Sequence, residues 1–516
     1  MNSIHRILAC ALLALLGNAA TAADAALLWF EGDAPTSQAR QALRILNDAA
    51  SDGLAPGDYQ AKTLEDAFAS LALSQTTDPA RMARLDQALS LAMERYLSDL
   101  HAGRIKPAEI HENFDVPAQT PLDSATYLRH IVEQRGFPEA VRAVAPTFPL
   151  YASLRKALAK YRALVFAPAW RQPLPPLPDK KLESGLPYAG LSILTARLIA
   201  LGDLPPEVLV PQRYEGAVVN GVRAFQLRHG LEPDGVIGRA TFEQLQVTPA
   251  ARVEQIGLSL ERLRWTPLQQ ASRMIVINIP EFMLHAYDTQ PDGKIDIRVE
   301  MKVILGKALN TRTPIFDEDM RFIEFSPYWN VPPSIARTET VPALRHDPGY
   351  LQRQQMEFVS GSGQISTAVT EANLQSVLQG AGRIRQRPGP HNALGDIKFI
   401  FPNNENIYLH HTPAVQLFNR NRRDFSHGCI RVEDPVALAR FVLEPEPEWT
   451  TSRIRDAMEK GESRTIRLKA PLPVLIAYST VMTRNGQVYF YDDIYSHDKL
   501  LATALSQRKR PVLIAP

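Results

Sequence analysis

The N-terminal part of the chain repeats its apolar residues at the spacing of a helix. Asp78 followed by Pro79 is typical of a helix start, and Gly103 is typical of the position just beyond a helix end. The apolar positions between them recur every three or four residues and are Leu85, Leu89, Ala92, Met93, Tyr96, Leu97 and Leu100. We therefore predict an amphipathic helix that faces a core, within a helical domain over residues 23–180 that carries no catalytic constellation.

A second helical unit follows a proline-rich linker. The linker prolines, which make a stiff spacer, are Pro173, Pro175, Pro176 and Pro178. Beyond them, the predicted helices and turn have glycine or proline at their boundaries and span residues 191–201, 216–229, 232–235 and 241–245. We predict a small three-helix domain over residues 186–247 and a connecting helix within residues 250–268.

From residue 273 the pattern changes to the two-residue period of strands. The predicted strands are rich in apolar or alternating residues and span 274–279, 297–303, 396–401, 474–482 and 488–491. Asn485-Gly486 lies between the last two of these runs, and this dipeptide is a strong hairpin signal. We expect a mainly β domain over residues 270–500.

A long interruption divides this β region. Residues 332–390 are rich in loop-type residues, with one helical pattern near residues 372–379. Long excursions inside a compact domain are either disordered or cover a functional site. We expect a loop-rich lid that is mobile relative to the β core, so the predicted fold class is multidomain α+β with a lid insertion.

Composition places the chain among ordinary globular proteins. Its 516 residues allow about three domains, and 45% hydrophobic with 22% charged residues argues against a disordered chain or a multi-span membrane protein. With 57 Lys+Arg against 55 Asp+Glu, the net charge of +2 gives no general basic field for nucleic acid. We therefore expect no nucleic acid partner.

Residues 1–22 have the pattern of an export signal. Arg6 supplies the positive end, Ile7–Leu16 the apolar core, and Ala20-Thr21-Ala22 a cleavage site of the A-x-A type. The alternatives are an N-terminal membrane anchor, for which the apolar run is short, and a lipoprotein signal ending at Cys10. The apolar run continues past that cysteine, so we favour cleavage and a periplasmic protein.

Cleavage would leave a single cysteine in the mature chain. The two cysteines are Cys10 and Cys429, and removal of Arg6 with the leader gives a net charge of 56 − 55 = +1. A lone thiol in an exported protein is either buried and inert or chemically used. The surrounding residues Ser426-His427-Gly428-Cys429 favour use, because a histidine base can ionise a thiol nucleophile.

Two adjacent histidines are candidates for that base. His410 and His411 follow an apolar strand, where neighbouring side chains face opposite sides, so only one can meet Cys429. We expect a thiolate–imidazolium pair, close backbone approach at Gly428, and backbone N–H groups there that could hold an oxyanion. A zinc site built from His410, His427 and Cys429 is the metal alternative, although no fourth ligand is placed by a known motif.

The motif resembles the catalytic signature of the L,D-transpeptidases, in which a histidine precedes S/T-H-G-C by about 15 residues. His410 is separated from Ser426 by 15 residues here. The further segments that resemble the large, three-domain Gram-negative members are Phe325–Pro332, Arg387–Gly395, Tyr408–Pro413 and Asp493–Asp498. One departure is His411, where that branch has an acidic residue. Residues 222–241 likewise resemble the small peptidoglycan-binding domain, although a helical spacer that binds nothing is the alternative.

The resemblance implies a role for each matching residue. Cys429 would be the nucleophile and His410 the base, Ser426 would orient His410 through its carbonyl, and the N–H groups of Gly428 and Cys429 would hold the oxyanion. Arg431 would bind a carboxylate or form a structural ion pair. The remaining substrate-binding candidates are Tyr408, Trp329, Asn392 and His427.

The resemblance also implies the reaction and its partners. The enzyme would join peptidoglycan stem peptides, a tetrapeptide donor and an acceptor, without a metal or an organic cofactor, and other wall synthases are candidate partners. A carbapenem could acylate the thiol. The alternatives are an L,D-carboxypeptidase, an enzyme that attaches lipoproteins to the wall, and a non-catalytic wall-binding scaffold.

Overall fold

The computed structural model describes residues 27–73, 78–111, 120–265, 271–309 and 311–509. The predicted export leader, residues 1–22, lies outside this described part. In the described ranges, every helix is too short or too polar to cross a bilayer. Contacts divide the described residues into two compact units, one drawn from residues 27–101, 121–145 and 509 and the other from residues 102–111, 120 and 146–508.

The first unit is mainly helical. Its elements are β1 (Phe30–Glu31), β2 (Ala34–Pro35), α1 (Ser37–Asn47), α2 (Ala61–Ala72), α3 (Pro79–Ala102), α4 (Ser124–Val132) and α5 (Phe137–Arg142). The helix predicted after Asp78 is confirmed as α3, and the Asp78 carboxylate accepts the N–H groups of Ala80 and Arg81 at its start. Trp29 is fully buried in this unit and donates its indole N–H to Ser90 Oγ at 2.8 Å.

The second unit holds the remaining elements. Its helices are α6 (Pro149–Leu164), α7 (Leu191–Leu201), α8 (Ala217–Arg228), α9 (Arg239–Gln246), α10 (Pro249–Leu263), α11 (Pro333–Ile335), α12 (Val341–His346), α13 (Tyr350–Arg353), α14 (Glu371–Leu378), α15 (Pro435–Val442), α16 (Thr451–Glu459) and α17 (His497–Gln507). Its first strands are β3 (Arg273–Asn278), β4 (Met283–Thr289), β5 (Ile295–Gly306), β6 (Phe316–Phe325), β7 (Trp329–Asn330), β8 (Met356–Ser360) and β9 (Ile365–Ser366). The later strands are β10 (Gly382–Gln386), β11 (Ile397–Ile400), β12 (Leu409–His410), β13 (Asp424–Ser426), β14 (Ile430–Val432), β15 (Arg464–Ala477), β16 (Val481–Arg484) and β17 (Gln487–Phe490).

The predicted three-helix domain is present as α7, α8 and α9. Gln226 lies at its centre, where its side chain donates to Asp234, Val236 and Thr241 and accepts the Gly235 N–H at 2.8 Å. Gly235 has a φ of +78°, as the predicted turn requires. One buried amide therefore ties the helix α8 to the turn and to α9.

A buried charge cluster joins α6 to α10. By its contacts, α6 lies in the second unit. Glu261 is fully buried on α10 and lies 3.0 Å from guanidinium nitrogens of both Arg104 and Arg264. Arg264 also donates to the Tyr151 hydroxyl of α6 at 3.0 Å. Burial acts to raise the pKa of Glu261, but the two arginines outweigh it and hold that pKa below its usual value.

Replacing Glu261 with glutamine is expected to lower the free energy of unfolding of this unit by about 3–5 kcal/mol, because it removes the charge of a buried carboxylate that two buried guanidinium groups contact. Urea unfolding at pH 7 measures the loss. The depressed pKa means that this stabilisation is present above the unfolded pKa and is lost as pH falls through the folded value. The control is Glu243→Gln, which breaks an exposed pair with Arg239. Equal stability of the two variants would contradict the prediction.

Eight strands of the second unit close into a ring. Their order is β5-β14-β12-β11-β6-β15-β3-β4, and β4 pairs back onto β5. β13 is added beside β5. The ring encloses a large apolar core that includes Ile277, Val303, Ile323, Phe399 and Val474. The mainly β prediction for this region is confirmed, and the closed ring fixes the position of β12 and β14.

The insertion is a folded element rather than a set of loops. We define the insertion as residues 329–386, which form a four-stranded sheet in the order β7-β10-β8-β9 with its own apolar core. The prediction of a loop-rich segment over residues 332–390 is therefore wrong, although its predicted helix is confirmed as α14. The strands are short and carry paired charges such as Glu357 and Arg385, which weaken the apolar pattern.

The predicted hairpin is confirmed, but its first strand is shorter than predicted. β16 and β17 pair around Asn485 and Gly486, whose φ values of 49° and 75° suit the tight turn. The apolar run 474–482 is two strands, because residues 474–477 end β15 and pair in parallel with β3. The chain leaves the ring at Tyr478, whose hydroxyl donates to Asp493 at 2.6 Å.

Candidate active site

The histidine of the motif lies on β12, and the cysteine immediately precedes the neighbouring strand β14. β12 and β14 run in parallel, with His410 directly opposite Arg431. The Ile430 N–H donates to the Tyr408 carbonyl at 3.0 Å. Cys429 immediately precedes Ile430, so its thiol lies at the same end of the strand pair as Tyr408, where it is partly exposed. The sheet thus presents a reachable thiol beside a buried imidazole.

The main chain fixes the tautomer of His410. Its Nδ1 lies 2.5 Å from the carbonyl oxygen of His411, and a carbonyl only accepts, so Nδ1 carries the proton and Nε2 keeps a lone pair. Burial, with a smaller contribution from Arg431, lowers the pKa of His410 to about 3. The ring is therefore neutral near pH 7. The expectation that the Ser426 carbonyl orients this histidine is wrong, because the adjacent carbonyl of His411 does so.

The thiol of Cys429 is protonated in this setting. Burial raises its pKa, while hydrogen bonds from the Tyr408 N–H and hydroxyl, and then the charges of Lys398 and Arg431, act in the opposite direction. Sγ lies 3.6 Å from the carbonyl oxygen of Asn406, an acceptor to which a protonated thiol can donate. The raised pKa of Cys429 and the lowered pKa of His410 favour a neutral thiol and a neutral imidazole over the expected thiolate–imidazolium pair.

Ser426 and Gly428 shape the loop that carries the thiol. Ser426 Oγ donates to the Cys429 carbonyl at 2.6 Å and accepts the Gly428 N–H at 3.2 Å. Gly428 has a φ of +116°, and a Cβ there would lie 3.2 Å from the Ile407 side chain, so only glycine fits without strain. Because its N–H is engaged by Ser426, Gly428 does not offer the expected oxyanion donor in this structure.

A layer beneath this loop was not predicted from the motif. Thr313 Oγ1 donates to the Gly428 carbonyl at 2.8 Å, and Thr311 Oγ1 donates to the Ser426 carbonyl at 3.1 Å. The Tyr495 hydroxyl donates to the Gly306 carbonyl at 2.6 Å on the same strand end. Two threonines thus hold carbonyls of the nucleophile loop, and Tyr495 holds the adjacent end of β5.

The comparisons with known proteins agree with this geometry. Residues 272–467 match the family described as the L,D-transpeptidase catalytic domain, YkuD. The chain carries an L,D-transpeptidase catalytic domain. Residues 189–245 match the family described as "Putative peptidoglycan binding domain", and residues 21–158 match the family described as "Scaffold domain". The three resemblances inferred from the sequence are confirmed.

Two curated proteins show partial similarity. A Haemophilus influenzae protein named "Putative L,D-transpeptidase" is 28% identical over 300 residues, which is 57% of this chain and 59% of that protein. Epoxide hydrolase 1 of Sus scrofa is 26% identical over 98 residues, which is 19% of this chain and 22% of that protein. The chain thus matches less than two thirds of the length of either relative.

His411 of the L,D-transpeptidase domain faces away from the thiol. Its Nδ1 lies 3.2 Å from the Asp396 carboxylate, and its side chain is 21% exposed whereas His410 as a whole is 3% exposed. Gly395 makes this packing possible, because a Cβ there would lie 2.6 Å from the His411 ring. The acidic partner of the His411 ring is thus Asp396, which immediately precedes β11.

Trp329 and Asn392, two of the predicted substrate-binding residues, have packing or hydrogen-bond partners outside β12 and β14. Trp329 pairs with Gln386 in the insertion sheet and packs on the core of the insertion. Asn392 is completely buried; its amide donates to the carbonyls of Pro327 and Arg387, and its oxygen accepts the Leu394 N–H. Asn392 therefore braces a turn, and the prediction that it lines a substrate pocket is wrong.

Across the described ranges, no group of three or more His, Cys, Asp or Glu side chains is arranged to hold a metal ion. The zinc alternative required His410, His427 and Cys429 to converge. His427 instead points to Glu339 at 2.7 Å, which belongs to a π-helical turn of the insertion at Ala336–Thr340. This contact links the nucleophile loop of the L,D-transpeptidase domain to the insertion.

Replacing Glu339 with glutamine is expected to loosen the nucleophile loop. Glutamine is a weaker acceptor for the His427 ring than a carboxylate, and the contact is partly exposed, so its effect is modest: backbone amides of residues 426–432 should exchange hydrogen roughly two- to fivefold faster. Hydrogen exchange followed by mass spectrometry measures this rate. The control is Glu371→Gln, which breaks a pair with Arg345 that lies entirely within the insertion. Equal exchange rates for residues 426–432 in Glu339→Gln and Glu371→Gln would show that the nucleophile loop does not depend on its contact with the insertion.

Proposed function

We propose that this protein is a periplasmic L,D-transpeptidase that forms 3→3 cross-links between meso-diaminopimelate residues of peptidoglycan stem peptides. The observation that carries this proposal is the pairing of a partly exposed thiol, Cys429, with a buried neutral imidazole, His410, on adjacent strands. The Nε2 lone pair of that imidazole is available to accept a proton. The match of residues 272–467 to the catalytic-domain family supports the same reaction class.

The first half-reaction acylates the cysteine. As Sγ of Cys429 attacks the carbonyl on the L-centre of diaminopimelate in the donor tetrapeptide, the thiol proton passes to Nε2 of His410. The Cys429 N–H is the oxyanion donor that remains for the tetrahedral intermediate. The C–N bond then breaks, and the D-Ala amine leaves with the proton from His410. A thioester is left on Cys429.

The second half-reaction transfers the acyl group. The side-chain amine of a second diaminopimelate attacks the thioester, and Nε2 of His410 removes a proton from that amine. The C–S bond breaks and the sulfur is reprotonated, which restores the starting thiol. The neutral resting state of His410 suits both steps, because a base must be unprotonated when each nucleophile attacks.

The other domains fit the same substrate. Residues 189–245 would hold the enzyme on its polymeric substrate, and the predicted leader would export it to the periplasm. Stem peptides are then the partners, with other wall synthases as additional ones, and a carbapenem would acylate Cys429 as the donor does. Arg431 and His427 remain candidates for contacts to the donor.

A reaction of the purified protein with disaccharide-tetrapeptides tests this function. Mass spectrometry should show a cross-linked dimer that has lost one D-Ala, and tandem fragmentation should place the bond between two diaminopimelate residues. Tripeptide without dimer would instead identify a carboxypeptidase, and transfer only to a lysine-bearing acceptor would identify a lipoprotein-attaching enzyme. Unchanged substrate, together with retention on sacculi, would identify a wall-binding scaffold.

A further inference from the structure

Four ionisable side chains form a row across the ring. Glu324 of β6 lies directly opposite Lys398 of β11, and Lys398 lies directly opposite His410 of β12. His410 in turn lies directly opposite Arg431 of β14. Directly opposed residues on neighbouring strands have side chains on the same face. The histidine of the candidate pair therefore stands between two cationic side chains, with one carboxylate at the end of the row. Burial lowers the pKa of Lys398, and the charge of Glu324 acts in the opposite direction.

Lys398 lies next to the group that contacts the thiol. Its Nζ is 4.0 Å from the centre of the Tyr408 ring, and the Tyr408 hydroxyl is a hydrogen-bond partner of Cys429. The carboxylate of Glu324 approaches Nζ only to 4.0 Å, so the ammonium is weakly neutralised. Both side chains of this ion pair are 19% exposed. A charge held in such a protected setting acts on its neighbours with little screening.

Arg431 adds a second positive charge to the one that Lys398 supplies. In the described part of the chain it has no carboxylate partner, and its Nε is buried without a hydrogen-bond partner. The charged and titratable groups around the thiol come from several elements and are Lys398 on β11, Tyr408 before β12, His410 on β12, Arg431 on β14, His427 with Glu339 from the insertion, and Glu324 acting through Lys398. This surrounding is positive and favours an anion at sulfur.

We propose that Lys398 is the cation that stabilises the thiolate form of Cys429, while His410 stays neutral and serves only as the proton acceptor during catalysis. On ionisation of the resting protein, the S–H bond breaks, its electron pair stays on Sγ, and its proton leaves to water. Lys398 thus acts through its positive charge on the thiolate sulfur, from a position next to Tyr408, and does not itself react. The inference rests on Cys429 being the nucleophile of the proposed function.

The pH dependence of Cys429 alkylation by iodoacetamide tests this inference. The rate is followed by mass spectrometry on the peptide that carries Cys429, between about pH 6 and pH 11. Lys398→Met should move the midpoint upward by about one pH unit, which is about tenfold slower alkylation below the midpoint. Glu324→Gln should move it downward, because it leaves the ammonium of Lys398 unneutralised. Lys398→Arg, which keeps the charge, should stay near the native midpoint.

Two controls separate charge from structure. Lys302→Met removes a lysine of β5 that is paired with Glu433, and it should leave the alkylation midpoint unchanged. His410→Gln should also leave the midpoint unchanged, since a neutral ring contributes no charge. If Lys398→Met does not fold, the opposite shift expected for Glu324→Gln still decides the matter.

Either of two results would overturn the inference. The first is that Glu324→Gln and a folded Lys398→Met both show the native alkylation midpoint. The second is that His410→Gln shifts the midpoint more than either of those two variants does. The proposed function fails separately: shifted midpoints without any cross-linked product would refute the transpeptidase and leave the role of Lys398 intact. Product formation with unshifted midpoints would refute the role of Lys398 alone.

Discussion

Replacing Cys429 with alanine is expected to abolish cross-linking and carbapenem acylation while leaving the fold intact. The reaction passes through a bond to Sγ, and alanine offers no atom that can form it, so the rate should fall by several orders of magnitude. The product is measured as the diaminopimelate-linked dimer by mass spectrometry. The side chain is partly exposed at a strand end, so its truncation removes little packing.

The melting temperature provides the control for this variant. A native-like melting temperature for Cys429→Ala would tie the lost activity to the missing sulfur rather than to unfolding. Cys429→Ser should also be inactive, since a hydroxyl in the same place is far harder to ionise. Dimer formation at the native rate by either purified variant would remove Cys429 from the mechanism.

His410→Ala is expected to lose carbapenem acylation, and His411→Ala is expected to keep most of it. A general base contributes roughly 10²–10⁴-fold, and Nε2 of His410 is the available base. His411 helps through its main-chain carbonyl, which alanine retains, while its side chain faces Asp396. Intact-protein mass spectrometry gives the acylation rate of each variant.

The pH profile sharpens the contrast between the two histidines. The pKa of His410 is lowered to about 3, so it remains an unprotonated base throughout the neutral range. Native acylation should therefore rise with pH as the thiol ionises, with no acidic limb near pH 6.5 that belongs to this ring. Native-like acylation by His410→Ala, with an inactive His411→Ala, would invert the assignment of the base.

Sequence patterns predicted the helices, and they singled out Cys429 and His410 as a candidate catalytic pair, because each depends on local chemistry. α7 begins at Leu191 and ends at Leu201, as predicted, since a glycine follows an apolar helical run. The spacing from His410 to Ser426 places the base and the thiol loop on neighbouring strands of the ring. These features are encoded by side-chain type at a fixed separation, which a single sequence displays directly.

The parts that were missed depend on the main chain or on distant partners. Both the carbonyl that orients His410 and the acceptor for the Gly428 N–H follow from loop geometry, which residue names do not reveal. In the sequence, Lys398 is a single charged residue within an apolar strand. Its proposed role follows only from the strand register, which places it opposite His410. A charged residue within such a strand, near a motif, is the signal that could have found it.

The ends of the insertion meet at one point of the fold. Trp329, at its start, pairs directly with Gln386, at its end, on antiparallel strands, so the two chain ends are about 5 Å apart. A segment whose entrance and exit coincide in this way can be gained, lost or exchanged without stretching the chain that receives it. The ring of strands can therefore accept an insertion of very different length at this position without a change in its own strand order.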